Sequence, residues 1–311
     1  MKSKKIVVTG GAGFIGSNLA RALAIDNHVV VFDDLSTGHL ENIKDLIDSN
    51  KIDFIKGNIA GIDILKKTFQ GVDYVFHEAA IPSVPKSISD PLQSNLINVK
   101  GTLNVLVAAR DNAVKKVVYA SSSSVYGNTP TLPKKEDMRP DPLSPYAVGK
   151  LSGEHYCHVF TQAYGLPTVA LRYFNVYGPY QDPKSEYAAV IPNFIARILG
   201  GHPLIIYGDG EQTRDFIFVD DVVRANILAA GCSAIGVFNI AGGKRVSMND
   251  LAKSIMTICE KDLGIIHEKP RLGDVRHSLA DISKAKEKFN HVPKFSLTDG
   301  LKETIKWFQK Q

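Results

Sequence analysis

Two residues four apart, Tyr146 and Lys150, stand near the start of a predicted helix. At that spacing both side chains lie on one helix face. A phenol ordinarily ionises near pH ~10. A nearby ammonium favours the phenolate, and a lowered tyrosine can take a proton from a hydroxyl group near neutral pH. The same spacing recurs at Tyr180 and Lys184, but inside Gly178-Pro179-Tyr180-Gln181-Asp182-Pro183-Lys184, a loop that holds no helical face. We read that second pair as coincidence. A serine run, Ser121 to Ser124, follows an apolar strand-like segment and continues into Val125-Tyr126-Gly127. A serine hydroxyl there could share the proton moving to Tyr146.

A second constellation sits near the beginning of the chain. Gly10, Gly13 and Gly16 frame Phe14 and Ile15 between a predicted strand and a predicted helix. In such a turn the first glycine permits the tight bend. The second lets backbone approach a pyrophosphate, and the third lets helix pack on strand. Free N–H groups and the positive dipole end of the helix then face the phosphates. Asp33 lies 17 residues beyond Gly16, at the end of the next apolar run. An acidic group there accepts from ribose hydroxyls and repels a 2′-phosphate, which favours NAD over NADP. A positive nicotinamide ring would join the Lys150 ammonium in lowering the Tyr146 pKa.

The elements that must hold these groups alternate. Lys5–Thr9, His28–Phe32, Asp53–Lys56, Asp73–His77, Val117–Ala120 and Thr168–Arg172 read as strands. Helical patterns fall between them at Phe14–Ile25, Leu40–Ile47, Ile62–Phe69, Pro91–Asn112 and Pro145–Tyr164, the last ended by Gly165 and Pro167. This order predicts an α/β chain with a doubly wound, Rossmann-type parallel sheet covered on both faces. From about Pro179 the alternation breaks into helices at Val190–Leu199, Asp220–Ala230 and Met248–Cys259 and a strand at Val237–Ile240. We expect residues 1–175 to form the cofactor-binding domain. Residues 176–311 should form mainly a smaller α/β substrate lobe, with segments near 204–240 returning to the main domain.

Composition sets the outer bounds. The chain has 311 residues, 44% hydrophobic and 22% charged, with a net charge of +5. The apolar fraction excludes global disorder. A mild charge with dispersed lysines gives no reason to expect nucleic acid as a partner. Lys2, Lys4 and Lys5 before an apolar stretch imitate a secretion signal, but the stretch holds Gly10, Gly11, Gly13 and Gly16, and signal cores are greasier. No run is long and apolar enough to predict a membrane span. Three cysteines lie far apart, which suits a reducing, cytoplasmic location. Glu154, His155, Cys157 and His158 cluster in sequence, yet His155 falls on the opposite side of the helix from Tyr146. We expect no metal site.

Together these features resemble the extended short-chain dehydrogenase/reductase family, and within it the nucleotide-sugar 4-epimerases. The likeness runs through Thr9–Gly16, Asp33, Asn58-Ile59, His77–Ala80, Asn98, Ser121–Gly127, Pro145–Lys150 and Arg172–Pro179. It continues through Gly208–Gly210, Thr213–Phe216 and Arg271–Asp281. The resemblance implies bound NAD and reversible oxidation at C4 of a UDP-hexose through a 4-keto sugar. It implies Tyr146 as base, Lys150 as its partner and ribose anchor, and Ser122 as the assisting hydroxyl, with Ser123 beside it. Asn58 and Ile59 would meet the adenine side, Ala79, Ala80 and Asn98 would line the NAD channel, and Phe174 would sit by the nicotinamide. Asn175 would meet the first phosphate or sugar, Val190 and Tyr207 would flank the uracil, and Arg214 and Arg271 would neutralise the diphosphate.

Sugar dehydratases and UDP-glucuronate decarboxylases of this family tend to carry an acidic residue after the serine of the loop. Here those positions are Ser123 and Ser124. Ser278 occupies a position that is a bulky aromatic in relatives restricted to glucose and galactose, so the resemblance implies room for an N-acetyl group. It also implies a homodimer built on the helices at Pro91–Asn112 and Pro145–Tyr164. The alternatives are a decarboxylase or another nucleotide-sugar oxidoreductase, and, more remotely, a non-enzymatic NAD sensor.

Overall fold

The computed structural model describes residues 1–183, 189–270 and 275–311. The strands are β1 (Lys5–Thr9), β2 (His28–Asp33), β3 (Ile52–Lys56), β4 (Tyr74–His77), β5 (Lys116–Ser122), β6 (Thr168–Tyr173), β7 (Asn175–Tyr177), β8 (Leu204–Tyr207), β9 (Thr213–Phe218), β10 (Gly236–Ile240), β11 (Arg245–Ser247) and β12 (Ile265–Glu268). The α-helices are α1 (Phe14–Leu23), α2 (Lys44–Asp48), α3 (Ile62–Thr68), α4 (Val84–Ser89), α5 (Pro91–Asn95), α6 (Thr102–Asp111), α7 (Pro145–Tyr164), α8 (Val190–Leu199), α9 (Val219–Gly231), α10 (Met248–Ile258), α11 (Ser283–Phe289) and α12 (Leu297–Phe308).

Seven strands form one sheet in the order β10-β6-β5-β4-β1-β2-β3, and every neighbouring pair is parallel. Parallel strands are covered on both faces, and their sequences read as continuous apolar runs. Ile6, Val7 and Val8 of β1 are fully buried, and successive residues point to opposite faces. Ile6 and Val8 join the core shared with α1, α9 and α10, and Val7 joins the core under α3 and α6. The chain order reverses at β1, with β2 on one side and β4 on the other. A crevice at such a reversal, outside the carboxyl ends of the strands, is where open α/β sheets take ligands.

β10 returns to the edge of the main sheet beside β6, and α9 packs on β5 and β6. β8 instead pairs in parallel with β12, some 60 residues later in the chain. β9 lies between β7 and β11 in a three-stranded sheet. Among the described residues no helix is long and apolar enough to cross a membrane.

The helix expected over Pro91–Asn112 is one helical run with a change of pitch. α5 passes through a π-helical stretch at Leu96–Gly101 into α6. Such π segments are rare and often lie at functional sites. This one carries Asn98.

Candidate active site

Two loops at the carboxyl ends of β1 and β4 make walls of a groove beside the sheet. Gly10 bends at φ +70°, and a Cβ there would lie 2.6 Å from the backbone nitrogen of Ala79. A Cβ on Gly16 would lie 2.1 Å from the carbonyl oxygen of Gly10. Only glycine lets these backbones meet. The groove encloses about 610 Å³, a volume typical of small-molecule sites. Gly10, Gly13, Phe14, Ile15, Gly16, Asp33, Asn58, Ile59, Ala79 and Ala80 all line it.

Asp33 is buried and accepts from the backbone N–H groups of Ala12 (3.0 Å) and Leu35 (2.8 Å). Burial raises its carboxyl above the usual range, and those two bonds work against the rise. A carboxylate has about four acceptor positions, so two remain for ribose hydroxyls. Asn58 donates to Asp34 at 2.6 Å and accepts from the Ala60 N–H at 2.8 Å, which fixes the loop after β3 against the loop after β2. The glycine cradle, the start of α1 and the free acceptor positions of Asp33 fit a dinucleotide with an unphosphorylated ribose.

Tyr146 and Lys150 stand in the first turns of α7. Ser144 caps this helix by accepting from the Ala147 N–H, Pro145 follows at the first helical position, and Gly165 closes it at φ +68°. These are local signals, and the helix spans Pro145–Tyr164 as expected from them. Two glycines bring the helix close to its neighbours. A Cβ on Gly149 would lie 2.9 Å from the Asn98 Cβ, and one on Gly153 would lie 2.3 Å from the Tyr119 hydroxyl.

The Lys150 ammonium is buried and donates to the Ala120 carbonyl oxygen at 2.8 Å. Its nitrogen lies 5.2 Å from the ring centre of Tyr119 and 5.9 Å from that of Tyr146. Burial lowers its pKa to about 8, and Glu78 opposes the fall. The sequence-based expectation was a Tyr146 lowered by Lys150 together with a positive nicotinamide ring. In the protein without NAD, burial raises its pKa, and the Ser122 side chain opposes the rise.

Ser122 ends β5 and pairs in register with Tyr173 of β6. Its hydroxyl accepts from the Ser124 N–H at 3.1 Å, which turns the chain. Ser123 is half-buried in the same turn. Ser121, one residue earlier, points elsewhere and donates to Glu154. Tyr146, Lys150, Asn98 and Phe174 are not walls of the groove. Asn98 is buried, and its amide accepts from the Ile81 N–H (2.9 Å) and donates to the Ile81 carbonyl oxygen (3.2 Å). It holds the loop that does line the groove. Phe174 is buried against Tyr126, with ring centres 6.2 Å apart, in a small cluster with Val125, Ala241 and Ala280.

The remaining expected residues lie on other elements. Asn175 opens β7 and is exposed, Val190 begins α8, and Tyr207 ends β8. Arg214 lies on β9 and donates to the Thr213 carbonyl oxygen at 2.9 Å. Ser278 donates its N–H to the Thr213 carbonyl oxygen at 3.0 Å, which seats its segment beside β9. Arg271 lies outside the described residues, as does Lys184. His155 and His158 face solvent, while Glu154 and Cys157 turn inward.

Two features escaped the sequence reading. The first is a buried relay behind the groove. The Ala79 N–H points to Thr9 Oγ1 (3.4 Å), which meets His77 Nδ1 at 2.8 Å. His77 Nε2 meets Thr102 Oγ1 at 3.0 Å, and that hydroxyl donates to the Asn98 carbonyl oxygen at 2.9 Å. Burial, with the nearby Lys150, lowers the His77 pKa to about 3, so the ring is neutral. Because Thr102 uses its proton on Asn98, His77 must donate from Nε2 and accept at Nδ1 from Thr9. The second is Glu78, which lines the groove and accepts from the Tyr173 hydroxyl at 2.9 Å. In the sequence it lies directly after a buried strand and within the family-like stretch His77–Ala80, but carried no assigned role there.

The sequence signature of the NAD dependent epimerase/dehydratase family matches residues 6–241. The chain belongs to this family. Its cofactor is NAD, which the glycine cradle and Asp33 suit. A UDP-glucose 4-epimerase of Mycolicibacterium smegmatis is 41% identical over 99% of both chains. A solved UDP-N-acetylglucosamine 4-epimerase from Methanobrevibacter ruminantium M1, in complex with UDP-N-acetylmuramic acid, is 46% identical with a TM-score of 0.97 over the whole of both chains. The UDP-glucose 4-epimerase of Thermotoga maritima, solved with UDP-glucose, is 40% identical, covers 98% of this chain and 99% of its own, and has a TM-score of 0.94. This chain, similar to these epimerases along its whole length, is an isomerase.

Proposed function

We propose that the protein interconverts the C4 epimers of a UDP-hexose, taking UDP-N-acetylglucosamine and UDP-N-acetylgalactosamine and also UDP-glucose and UDP-galactose. The observation that carries this reading is the site at the start of α7. Tyr146 and Lys150 share one helix face there, with the Lys150 nitrogen 5.9 Å from the Tyr146 ring centre, the Ser122 side chain favours the Tyr146 phenolate, and no carboxylic acid follows Ser122 in its loop. Without an acid at Ser123 or Ser124, the loop supports oxidation and reduction at C4 and nothing further.

NAD supplies, when bound, the acceptor and donor of the C4 hydride. Tyr146 takes the proton of the C4 hydroxyl and later returns one to the C4 oxygen, once the 4-keto sugar has turned over to offer its other face to the returning hydride. Ser122 shares that proton, with Ser123 adjacent. Lys150 stabilises the phenolate and anchors the nicotinamide ribose. The positive charge of the oxidised ring would add to that of Lys150 and favour the Tyr146 phenolate. Asp33 accepts from the adenosine ribose, and Asn98 fixes the Ile81 loop on which Ala79 and Ala80 face the cofactor. Asn175, Val190, Tyr207, Arg214 and Arg271 serve the UDP portion, the two guanidinium groups matching the diphosphate. Ser278 leaves space beside C2.

We also propose a homodimer in the cytoplasm. Ile88 of α4, Leu92 of α5 and Val148 and Val159 of α7 are 62%, 82%, 48% and 47% exposed on helices that pack together. A second copy would cover this apolar face. The three cysteines are unpaired, as a reducing compartment allows.

The test is to incubate pure protein with UDP-N-acetylglucosamine and no added NAD. Formation of UDP-N-acetylgalactosamine without net NADH supports the reading. Release of CO₂ from UDP-glucuronate, with no epimer formed from either sugar pair, would replace it with a decarboxylase.

A further inference from the structure

We propose that Tyr180 is a positioning residue for the cofactor: its ring pins a strap, residues 179–182, along the NAD groove, and that strap slows the release of NAD. The inference rests on the groove being the NAD site and not on which sugar is turned over.

The argument begins from the backbone. Tyr180 has φ +69°, a region that a bulky residue rarely adopts. Such strain persists only where the surroundings hold it, and it collects at ligand clamps. The sequence gave Tyr180 no part in proton transfer, and the structure uses its ring differently. Its centre lies 5.2 Å from that of Trp307 on α12, and the guanidinium carbon of Arg21 on α1 lies 5.0 Å from it. Tyr180, Gln181 and Asp182 all line the groove, together with Ser36, His39 and Asn42 from the loop after β2.

The rest of the strap is tied down as well. The Pro179 carbonyl oxygen accepts from the Asn18 amide of α1 at 3.0 Å. The Gln181 amide donates to the Val176 carbonyl oxygen of β7 at 3.3 Å. Asp182 Oδ2 lies 3.6 Å from His39 Nε2. Arg21 completes the clasp from behind. It donates to the Asn42 carbonyl oxygen at 2.9 Å and pairs with Asp45, so one guanidinium joins the loop after β2 to the strap after β7.

The place of this clasp gives it a task. His39 donates its N–H to the Ala12 carbonyl oxygen at 3.0 Å, and the Ala12 N–H is one of the two that Asp33 accepts. The strap therefore meets the opposite wall beside the residue that takes the adenosine ribose. Opening the groove there means parting the ring contacts of Tyr180, so these contacts act on the rate of release. Asn18, Arg21 and Trp307 do not line the groove, and what they contribute to NAD binding runs through the strap.

Holoenzyme carrying radiolabelled NAD is mixed with excess unlabelled NAD, and the label kept by the protein is followed with time. Tyr180→Ala should release NAD about tenfold faster, as expected for losing one aromatic and one cation–π contact. Tyr180→Phe keeps the ring and should restore the slow release. Should Tyr180→Ala not fold, Asn18→Ala carries the test. It removes the bond to Pro179 and should speed release by a smaller factor. Release at the unaltered protein's rate in the variant that carries the test overturns the proposal, as does release from Tyr180→Phe as fast as from Tyr180→Ala. An unaltered protein that binds no NAD would instead overturn the reading of the groove, so the two failures are distinguishable.

Discussion

Arg172 of β6 grips Glu154 of α7 through two bonds, Nε to Oε1 at 2.8 Å and an Nη to Oε2 at 2.7 Å, with both side chains 4% exposed. The pair is bidentate, and Ser121 at the end of β5 donates to the same carboxylate. Arg172 also lies 4.6 Å from the ring centre of Tyr126, in the loop that follows Ser122. One ion pair therefore ties together the helix with Tyr146 and Lys150, the strand leading to Ser122, and β6.

Breaking that pair by removing one partner strands a buried charge. Glu154→Gln should lower unfolding stability by about 3 to 5 kcal/mol. Urea unfolding with unchanged slope reads the loss directly. A shift below about 1 kcal/mol, the value of a surface pair, would show that the site does not depend on this tie.

The glycine cradle makes a second prediction. In Gly16→Ala the new methyl would meet the Gly10 carbonyl oxygen at 2.1 Å, and the atoms it meets in Gly10 and Gly11 are all backbone. α1 or the turn must shift, at a cost of about 1 to 3 kcal/mol. NAD affinity should fall at least about tenfold, since about 1.4 kcal/mol is a factor of ten. Calorimetric titration with NAD measures it, and unchanged affinity would mean that the phosphates do not sit against this turn.

Tyr146→Phe removes one oxygen and leaves the helix intact. The expected fall in kcat is about 10² to 10⁴-fold, the range for losing a positioned acid–base group. NAD binding should persist, because the cradle and Asp33 are separate from it. Loss of NAD binding in this variant would indicate a damaged fold rather than a lost base.

Ser278→Tyr tests the substrate proposal. Turnover of UDP-N-acetylglucosamine should drop at least about tenfold while UDP-glucose turnover changes little, as steric rejection in a pocket commonly yields 1 to 3 kcal/mol, or about 10 to 200-fold. Equal loss of both activities would remove Ser278 from any role in gating C2.

Local signals account for what could be read in advance. Ser144, Pro145 and Gly165 bracket α7 within the chain itself, so its limits and the Tyr146/Lys150 face were legible. The glycine turn was legible for the same reason, lying between one apolar strand and one helix. The pairing of β8 with β12 was not, because Leu204 and Ile265 are partners across distant sequence. Nor was the use of Asn98, whose amide serves the backbone of Ile81. The bond from Tyr173 to Glu78 also joins residues distant in the chain and left no local signal. Spacing showed the charge beside Tyr146 but not the desolvation that raises its pKa in the protein without NAD.

The most direct test of the account follows the hydrogen at C4. UDP-N-acetylglucosamine carrying deuterium at C4 is turned over in ordinary water, and the product is examined by NMR and mass spectrometry. The account predicts UDP-N-acetylgalactosamine that keeps its deuterium at C4, because the hydride leaves and returns without exchanging. Deuterium lost to solvent from C4, or inversion at another carbon, would contradict it.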